Sequence, residues 1–449
     1  MITIGFPKRL KTSLRNVDYH LLGVLILMGL LPTVYRTVRI NLLGDLPGDW
    51  GYNIASQLSW LNVAYEVVHE ALLLPMFYLI GRHLANRARF ANVVSNGLLL
   101  VGALYLALSV ATILLARPMV VFMAQMPELV EATVSYIRLE AIALVLATIA
   151  RYLTLVLVTI KRERWLLAVL ALQMTLTVTL DLFLLSSHPF SLQLGVNGIA
   201  VTNTVANLLL VAFLVIVLRR EDVRVFGAGF HVDWSWIKEW LRTGGLSGLE
   251  SLVRNAAFIL MVVRLVNVVQ QQGTYWVTNN FIWGWLLVPI LALGELIKRD
   301  TAAREEAART MTPAYFALTA VFVLVWAVSI PAWPGFVANV MGVSEAGAVV
   351  NLTLVSLGFY ILFAFNNVAD SVFYGRGRTD LMLYQSLIVN TLFYGGAFLL
   401  YRAGVFSPTL LGIAIMFGLG IAIDSAITFV MFARFRRRLP VIPQKEATS

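Results

Sequence analysis

Carboxylates interrupt several long apolar stretches of this 449-residue chain: Glu66 and Glu70, Asp181, Glu250, Glu295, Asp370 and Asp424. An ionisable group in the middle of an apolar helix costs roughly 2.5–3.5 kcal/mol on insertion scales, so such groups persist where they pair, line a polar cavity or carry ions. Asp181 follows Thr175, Thr177 and Thr179 with no basic residue within a turn, and Asp370 follows Asn366 and Asn367 in the same isolation. Burial without a partner favours the neutral form of an acid, which suits both residues to carrying a proton. The amide and hydroxyl oxygens beside them would alternatively suit Na+, since hard cations take oxygen ligands.

The other acids have local explanations. Glu250 has Arg254 one turn on, a pair that can neutralise itself. Glu295 stands beside Lys298 and Arg299 and reads as an interfacial residue. Glu66, His69 and Glu70 share one helical face. Glu66-x-x-His69 is half of a di-iron carboxylate motif, which needs a second Glu-x-x-His on a facing helix, and the chain has none.

The elements that must position these groups are apolar segments of spanning length, about 20 residues or more. Twelve are visible: 18–43, 54–82, 92–117, 128–160, 164–187, 194–219, 243–270, 274–297, 312–341, 346–374, 380–403 and 408–434. Those at 128–160 and 346–374 are long enough to require tilt or projection from the bilayer. Of 34 Lys and Arg, 26 fall on one side of this pattern and only Arg117 and Arg402 on the other. Arg36, Arg39, Arg138, Arg151, Arg254 and Arg264 lie inside apolar segments. Positive charge is retained on the cytoplasmic side, so the chain reads as a multi-pass protein of the plasma (inner) membrane with both termini inside.

Composition agrees: 59% of residues are hydrophobic, against roughly 45–50% in soluble domains. The net charge of +10 is spread through short loops and forms no patch interleaved with aromatics, which argues against a nucleic-acid partner. The absence of cysteine removes disulfides, thiolate metal sites and cysteine nucleophiles. No cleavable signal peptide and no P-loop pattern are visible. A membrane-embedded enzyme would have to use His69 or His83 as its base, and His83 sits among basic loop residues; the chain does not read as an enzyme.

A repeat organises the spans. Val158–Arg164 (VTIKRER) aligns with Val372–Arg378 (VFYGRGR) at an offset of 214 residues. The same offset brings Gly198-Ile199-Ala200 onto Gly412-Ile413-Ala414 and Arg220 onto Arg434. The expected fold is therefore an all-α membrane protein of twelve helices in two six-helix lobes, related by a pseudo-two-fold axis along the membrane normal. Residues 1–222 form the first lobe, 223–242 a cytoplasmic amphipathic linker, and 243–449 the second lobe. Trp234, Trp236 and Trp240 in the linker read as aromatic anchors at the membrane surface.

Three segments resemble the MATE (multidrug and toxic compound extrusion) family, of the NorM-like or DinF-like kind, within the MOP flippase superfamily. Leu194–Thr202 (LGVNGIAVT) resembles the family's glycine-rich entry to the sixth helix. Gly245–Glu250 (GLSGLE) resembles its seventh-helix entry, and Asp370–Thr379 (DSVFYGRGRT) its tenth-helix exit. The resemblance implies export of small, cationic or amphipathic organic compounds by antiport with Na+ or H+. It implies second-lobe coupling acids at Glu250 and Asp370, with Asn366 and Asn367 beside the latter, and a first-lobe acid at Asp181 accompanied by Thr202 and Asn207. The substrate cavity is expected to take in Glu66, Glu70, Arg36, Arg254, Trp283 and Trp285. No resident cofactor or metal is expected beyond the coupling ion, and the partners are a small-molecule substrate and the lipid bilayer, with the chain acting as a monomer. The chain departs from the pattern in its first helix, where Pro32, Arg36 and Arg39 stand in place of an acid. Arg36, Arg39, Arg254 and Arg264 keep open a flippase for lipids or lipid-linked sugars, or an organic-anion exporter, because guanidinium binds phosphate and carboxylate bidentately.

Overall fold

The computed structural model describes residues 6–44, 50–81, 86–160, 162–227, 230–304 and 306–438, and no strand occurs among the described residues. An amphipathic α1 (Phe6–Arg15) precedes α2 (Tyr19–Gly44), the first spanning helix, which contains Pro32. A short α3 (Trp50–Ser56) leads into α4 (Leu58–Gly81), the second span. Next come α5 (Arg87–Phe122), α6 (Val130–Thr159), α7 (Glu163–Leu184) and α8 (Val196–Arg220).

The seventh span is α9 (Ile237–Phe258), a π-helical turn at Ile259–Val263, and α10 (Arg264–Val268). The eighth is α11 (Gln272–Phe281), a π turn at Ile282–Leu286, and α12 (Val288–Ala303), with a 51° bend at the break. A short α13 (Ala307–Thr310) precedes α14 (Thr312–Ser329) and α15 (Trp333–Asn339), which together make the ninth. The tenth is α16 (Ala346–Gly375). The eleventh is α17 (Thr379–Ile388), a π turn at Val389–Tyr394, and α18 (Gly395–Arg402), and the twelfth is α19 (Leu410–Arg438). The all-α, twelve-helix expectation holds. The segments expected to be long form helices of 30 residues each, and α5 is longer still at 36 residues, about 54 Å of helix. Asn86 caps it by accepting from the Arg89 amide at 3.2 Å.

The chain divides into two compact units. Unit 2 comprises residues 35–276 and 341–344; unit 1 comprises residues 1–34, 277–340 and 345–449. In a bilayer there is no hydrophobic drive between helices, so close packing and small residues must hold them together. Unit 2 is built around α6, which packs between α5 and α8, while α4 packs along α9. Tyr152 of α6 is fully buried and donates to the Val94 carbonyl at 2.8 Å. Gly97 makes room for it, since a Cβ there would lie 2.3 Å from the Tyr152 hydroxyl and from Met76 Cε. The core of unit 1 gathers Leu293, Leu296, Ile297, Tyr315, Val368 and Phe373 from α12, α14 and α16.

Charged loops cap each unit. In unit 2, Glu221 receives Arg162 at 2.7 Å, Arg164 at 3.1 Å and the Trp165 indole N–H at 2.9 Å. The indole bond first, and the two guanidinium groups with it, hold the Glu221 carboxyl below the usual range. Arg117, assigned by charge pattern to the opposite side, pairs with Glu131 at 3.1 Å at the other ends of α5 and α6. In unit 1, Arg299 joins Asp18 at 3.2 Å and Asp300 at 2.8 Å. The aromatic segment after α8 differs from a surface anchor. Trp236 and Trp240 are buried, and the Trp240 indole donates to the Leu72 carbonyl at 3.1 Å. Its approach is pinned by side chains of α5, with Ser95 accepting from the Phe226 amide and Asn96 from the Asp233 amide.

Candidate functional site

Each unit holds a polar cluster built on buried carboxylates within its spans. In unit 2, Asp181 of α7 is not isolated. The Arg39 guanidinium of α2 donates Nε–H to Asp181 Oδ2 at 2.7 Å and Nη2–H to Oδ1 at 3.1 Å. The premise of an uncompensated acid fails here because the cation arrives from 142 positions earlier in the chain. Arg39 Nη2 also donates to Asn203 Oδ1 of α8 at 3.2 Å, and Asn203 Nδ2 donates to Glu140 Oε1 of α6 at 2.7 Å. Asp181 and Glu140 are buried, with relative exposures of 1% and 3%.

Backbone features bring these helices together. Gly195 enters α8 at φ +58, a conformation that favours glycine. A Cβ on Gly198 would lie 2.9 Å from the Leu184 carbonyl, so its absence lets α8 close on the end of α7 that carries Asp181. Asn207 donates to the Asn203 carbonyl at 2.7 Å, and Thr202 is buried with no partner for its hydroxyl among the described residues.

In unit 1 the cluster is built from α16, α17 and α19. Asn366 Nδ2 donates to Asp370 Oδ2 at 2.9 Å and to Asp424 Oδ2 at 3.2 Å, so one amide bridges two carboxylates. The Thr428 hydroxyl donates to Asp370 Oδ1 at 3.3 Å, and the Gln385 side chain faces Asp424. Asn366 Oδ1, Ser371 Oγ, Gln385 Oε1 and Ser425 Oγ are buried without partners among the described residues. No ion pair to Asp370 or Asp424 is present among the described residues. Two like charges sharing one neutral donor in an apolar surrounding favour uptake of a proton or a cation. Asn367 turns away and donates to the Ile290 carbonyl at 3.0 Å.

The remaining expected residues are dispersed. Glu66 meets Arg151 at 3.7 Å, with both side chains largely exposed, a geometry that contributes little. The side chains of Glu70 and Glu250 lie outside the described residues. Arg254 is engaged in an interaction of its own. Arg36 is exposed on α2 and makes no hydrogen bond or ion pair among the described residues. Trp283 and Trp285 stand in the π turn of the eighth span, a local distortion frequent at functional sites. Trp283 donates to the Tyr360 hydroxyl at 3.3 Å and packs edge-on against Phe363, while Trp285 packs edge-on against Phe336.

Glu140, Asn203, Gln385 and Thr428 escaped the sequence analysis. Glu140 follows Arg138 by two residues, which resembles local neutralisation, yet residues two apart do not face each other on a helix. Arg138 in fact donates away, to the Ile113 carbonyl at 3.2 Å. Thr428, one turn after Asp424, was the available signal for a polar face on α19.

No protein-family model and no curated protein matches the chain by sequence. Solved structures do match in fold. An inward-facing multidrug resistance MATE transporter of the MOP superfamily superposes with a TM-score of 0.75 at 16% identity, over 93% of this chain and 96% of that one. An outward-facing structure of a MATE transporter of this kind gives 0.64 at 16% identity, over 95% and 98%. A MOP-superfamily transporter from Pyrococcus furiosus gives 0.65 at 17% identity over 96% and 98%, and its binding pocket has reverse polarity, which suggested a different function for it. The chain thus has the fold of the MATE transporters.

Proposed function

We propose that this chain is a secondary active transporter that exports small organic compounds, cationic or amphipathic, by antiport with H+ or Na+ through alternating access. It would work as a monomer in the cytoplasmic (inner) membrane with both termini inside. The observation that carries this reading is the carboxylate pair Asp370–Asp424, bridged by Asn366 and lacking a cationic partner among the described residues. Such a pair changes charge on taking up one ion. If the two access states hold that ion with different affinity, the ion shifts the balance between them, and by no more than that difference. The MATE-type fold supports the transporter class. Asn366 positions both acids, Thr428 and Gln385 tune one each, and Glu250 is assigned to the same coupling role. Trp283 and Trp285 would stack on a flat substrate.

The test is dye movement in proteoliposomes holding the full chain, with a pH gradient and a Na+ gradient imposed separately. Gradient-driven movement of a fluorescent cationic dye, lost in Asp370→Asn and in Asp424→Asn, is the expected result and identifies the ion. Absence of movement under either gradient, with folded protein, would overturn export of organic cations.

A second reading rests on Arg36, whose guanidinium has no partner among the described residues. It favours an anionic substrate, namely a phosphate-bearing lipid, a lipid-linked sugar or an organic anion. Competition by such anions, relieved in Arg36→Gln, would select it.

A further inference from the structure

The unit 2 cluster contains three ionisable groups of unlike sign, and their arrangement leaves one of them unsatisfied. The Arg39–Asp181 pair is bidentate, so each charge has its counterpart. Asn203 is oriented by chemistry: guanidinium only donates, so Asn203 Oδ1 faces Arg39 and its Nδ2–H must point at Glu140. Glu140 receives that single donor at Oε1, while Oε2 is buried with no partner among the described residues. An ionised carboxylate needs donors at both oxygens, and a third, uncompensated charge in this surrounding is costly. The neutral acid keeps the bond from Asn203 at Oε1 and leaves an uncharged O–H at Oε2, which costs much less than an unpaired charge.

The groups facing Glu140 are few. Arg39 comes from α2, Asp181 from α7 and Tyr136 from Glu140's own helix, with only the Asn203 amide from α8. Among the described residues no charged side chain of α3, α4 or α5 is hydrogen-bonded or ion-paired to it. Arg39 is already taken by Asp181.

We propose that Glu140 is a proton-binding site of unit 2, with Arg39 acting as the fixed counter-ion of Asp181. The ligand is a proton held on Oε2, and the Arg39–Asp181–Glu140 cluster thereby reaches neutrality without a mobile metal ion. This concerns a different cluster from Asp370–Asp424 and does not depend on coupling there.

The experiment is infrared spectroscopy of the full-length chain in lipid nanodiscs at neutral pH. Carbon-13-labelled glutamate shifts any protonated band belonging to Glu140 and leaves bands from Asp370 or Asp424 in place. The expected result is one label-sensitive protonated carboxyl band, lost in Glu140→Gln, which keeps the bond from Asn203. In Asp181→Asn the freed guanidinium, one amide away from Glu140, takes the Glu140 charge, so the band is lost there too. Absence of a label-sensitive protonated band in the wild-type chain would overturn the proposal. So would a band that persists unchanged in folded Glu140→Gln. Absence of the band in the labelled wild-type chain overturns the proposal even if a variant fails to fold, while loss in folded Glu140→Gln with persistence in Glu250→Gln assigns a band that is present; no transport is needed for the readout.

Discussion

The polar clusters of the two units are built from corresponding helices of the repeat but balance charge in opposite ways. Unit 2 uses the fourth, fifth and sixth spans plus the first, and places an arginine among its acids. Unit 1 uses the tenth, eleventh and twelfth, and places two acids around one amide with no cation among the described residues. The clusters are not copies, since the 214-residue offset carries Asp370 onto Val156 and Asp424 onto Leu210. On that offset the helices correspond and the chemistry does not. A fixed counter-ion stabilises the charged form of a buried acid, whereas an acid pair with no cation beside it favours the form that has taken up a proton or a cation.

Breaking the fixed pair should have the largest effect. Arg39→Leu leaves Asp181 buried and uncompensated, and should lower stability by about 3–5 kcal/mol. Arg39→Leu combined with Asp181→Leu should recover most of that loss in an unfolding titration. Equal losses in the single and double variants would remove the distinction between the clusters.

In unit 1 the sign should reverse. Asp424→Asn removes one of two like charges, so stability should hold or rise by up to about 2.5 kcal/mol while gradient-driven transport disappears. A marked drop in the unfolding midpoint would show that the pair is structural after all.

Glycines at the two clusters sharpen the comparison. Gly198→Ala pushes a Cβ against the immobile Leu184 carbonyl, whereas at Gly294 it meets only the ends of the Asn367 and Ser371 side chains, 2.7 and 2.9 Å away. Overpacking costs of this kind run to a few kcal/mol, and about 2 kcal/mol is expected at Gly198 against about 1 kcal/mol at Gly294. Thermal melts of both variants rank the two sites.

The smallest effect lies outside the membrane. Because the Glu221 carboxyl is held below its ordinary range, its contribution is present above the unfolded value near 4.3 and is lost as pH falls through the folded one. A melt series from pH 6 to pH 3 should show an acid-dependent loss that Glu221→Gln lessens, and the difference between the two proteins should stay constant between pH 6 and 8.

How much of this was legible depended on distance along the chain. Asp370 and Asn366 could be read together because they lie one helical turn apart, and the structure joins them at 2.9 Å. Asp181 could not be read correctly, because its partner stands on another helix. Asp424 was visible as an acid in an apolar span, but its link to Asn366 crosses 58 positions. Glu140 was hidden by a neighbouring arginine that points elsewhere.

By itself, the sequence determined the solvent, the number of spanning helices and the expected side for the charged loops. Hydropathy and loop charge act on each segment separately, so they can be summed without knowing what touches what. Only the tertiary structure decided which acids keep a counter-ion and which do not. That depends on the rotation and depth of each helix against its neighbours, set by side-chain packing and by the close approaches at Gly97 and Gly198. No local count of residues contains those quantities.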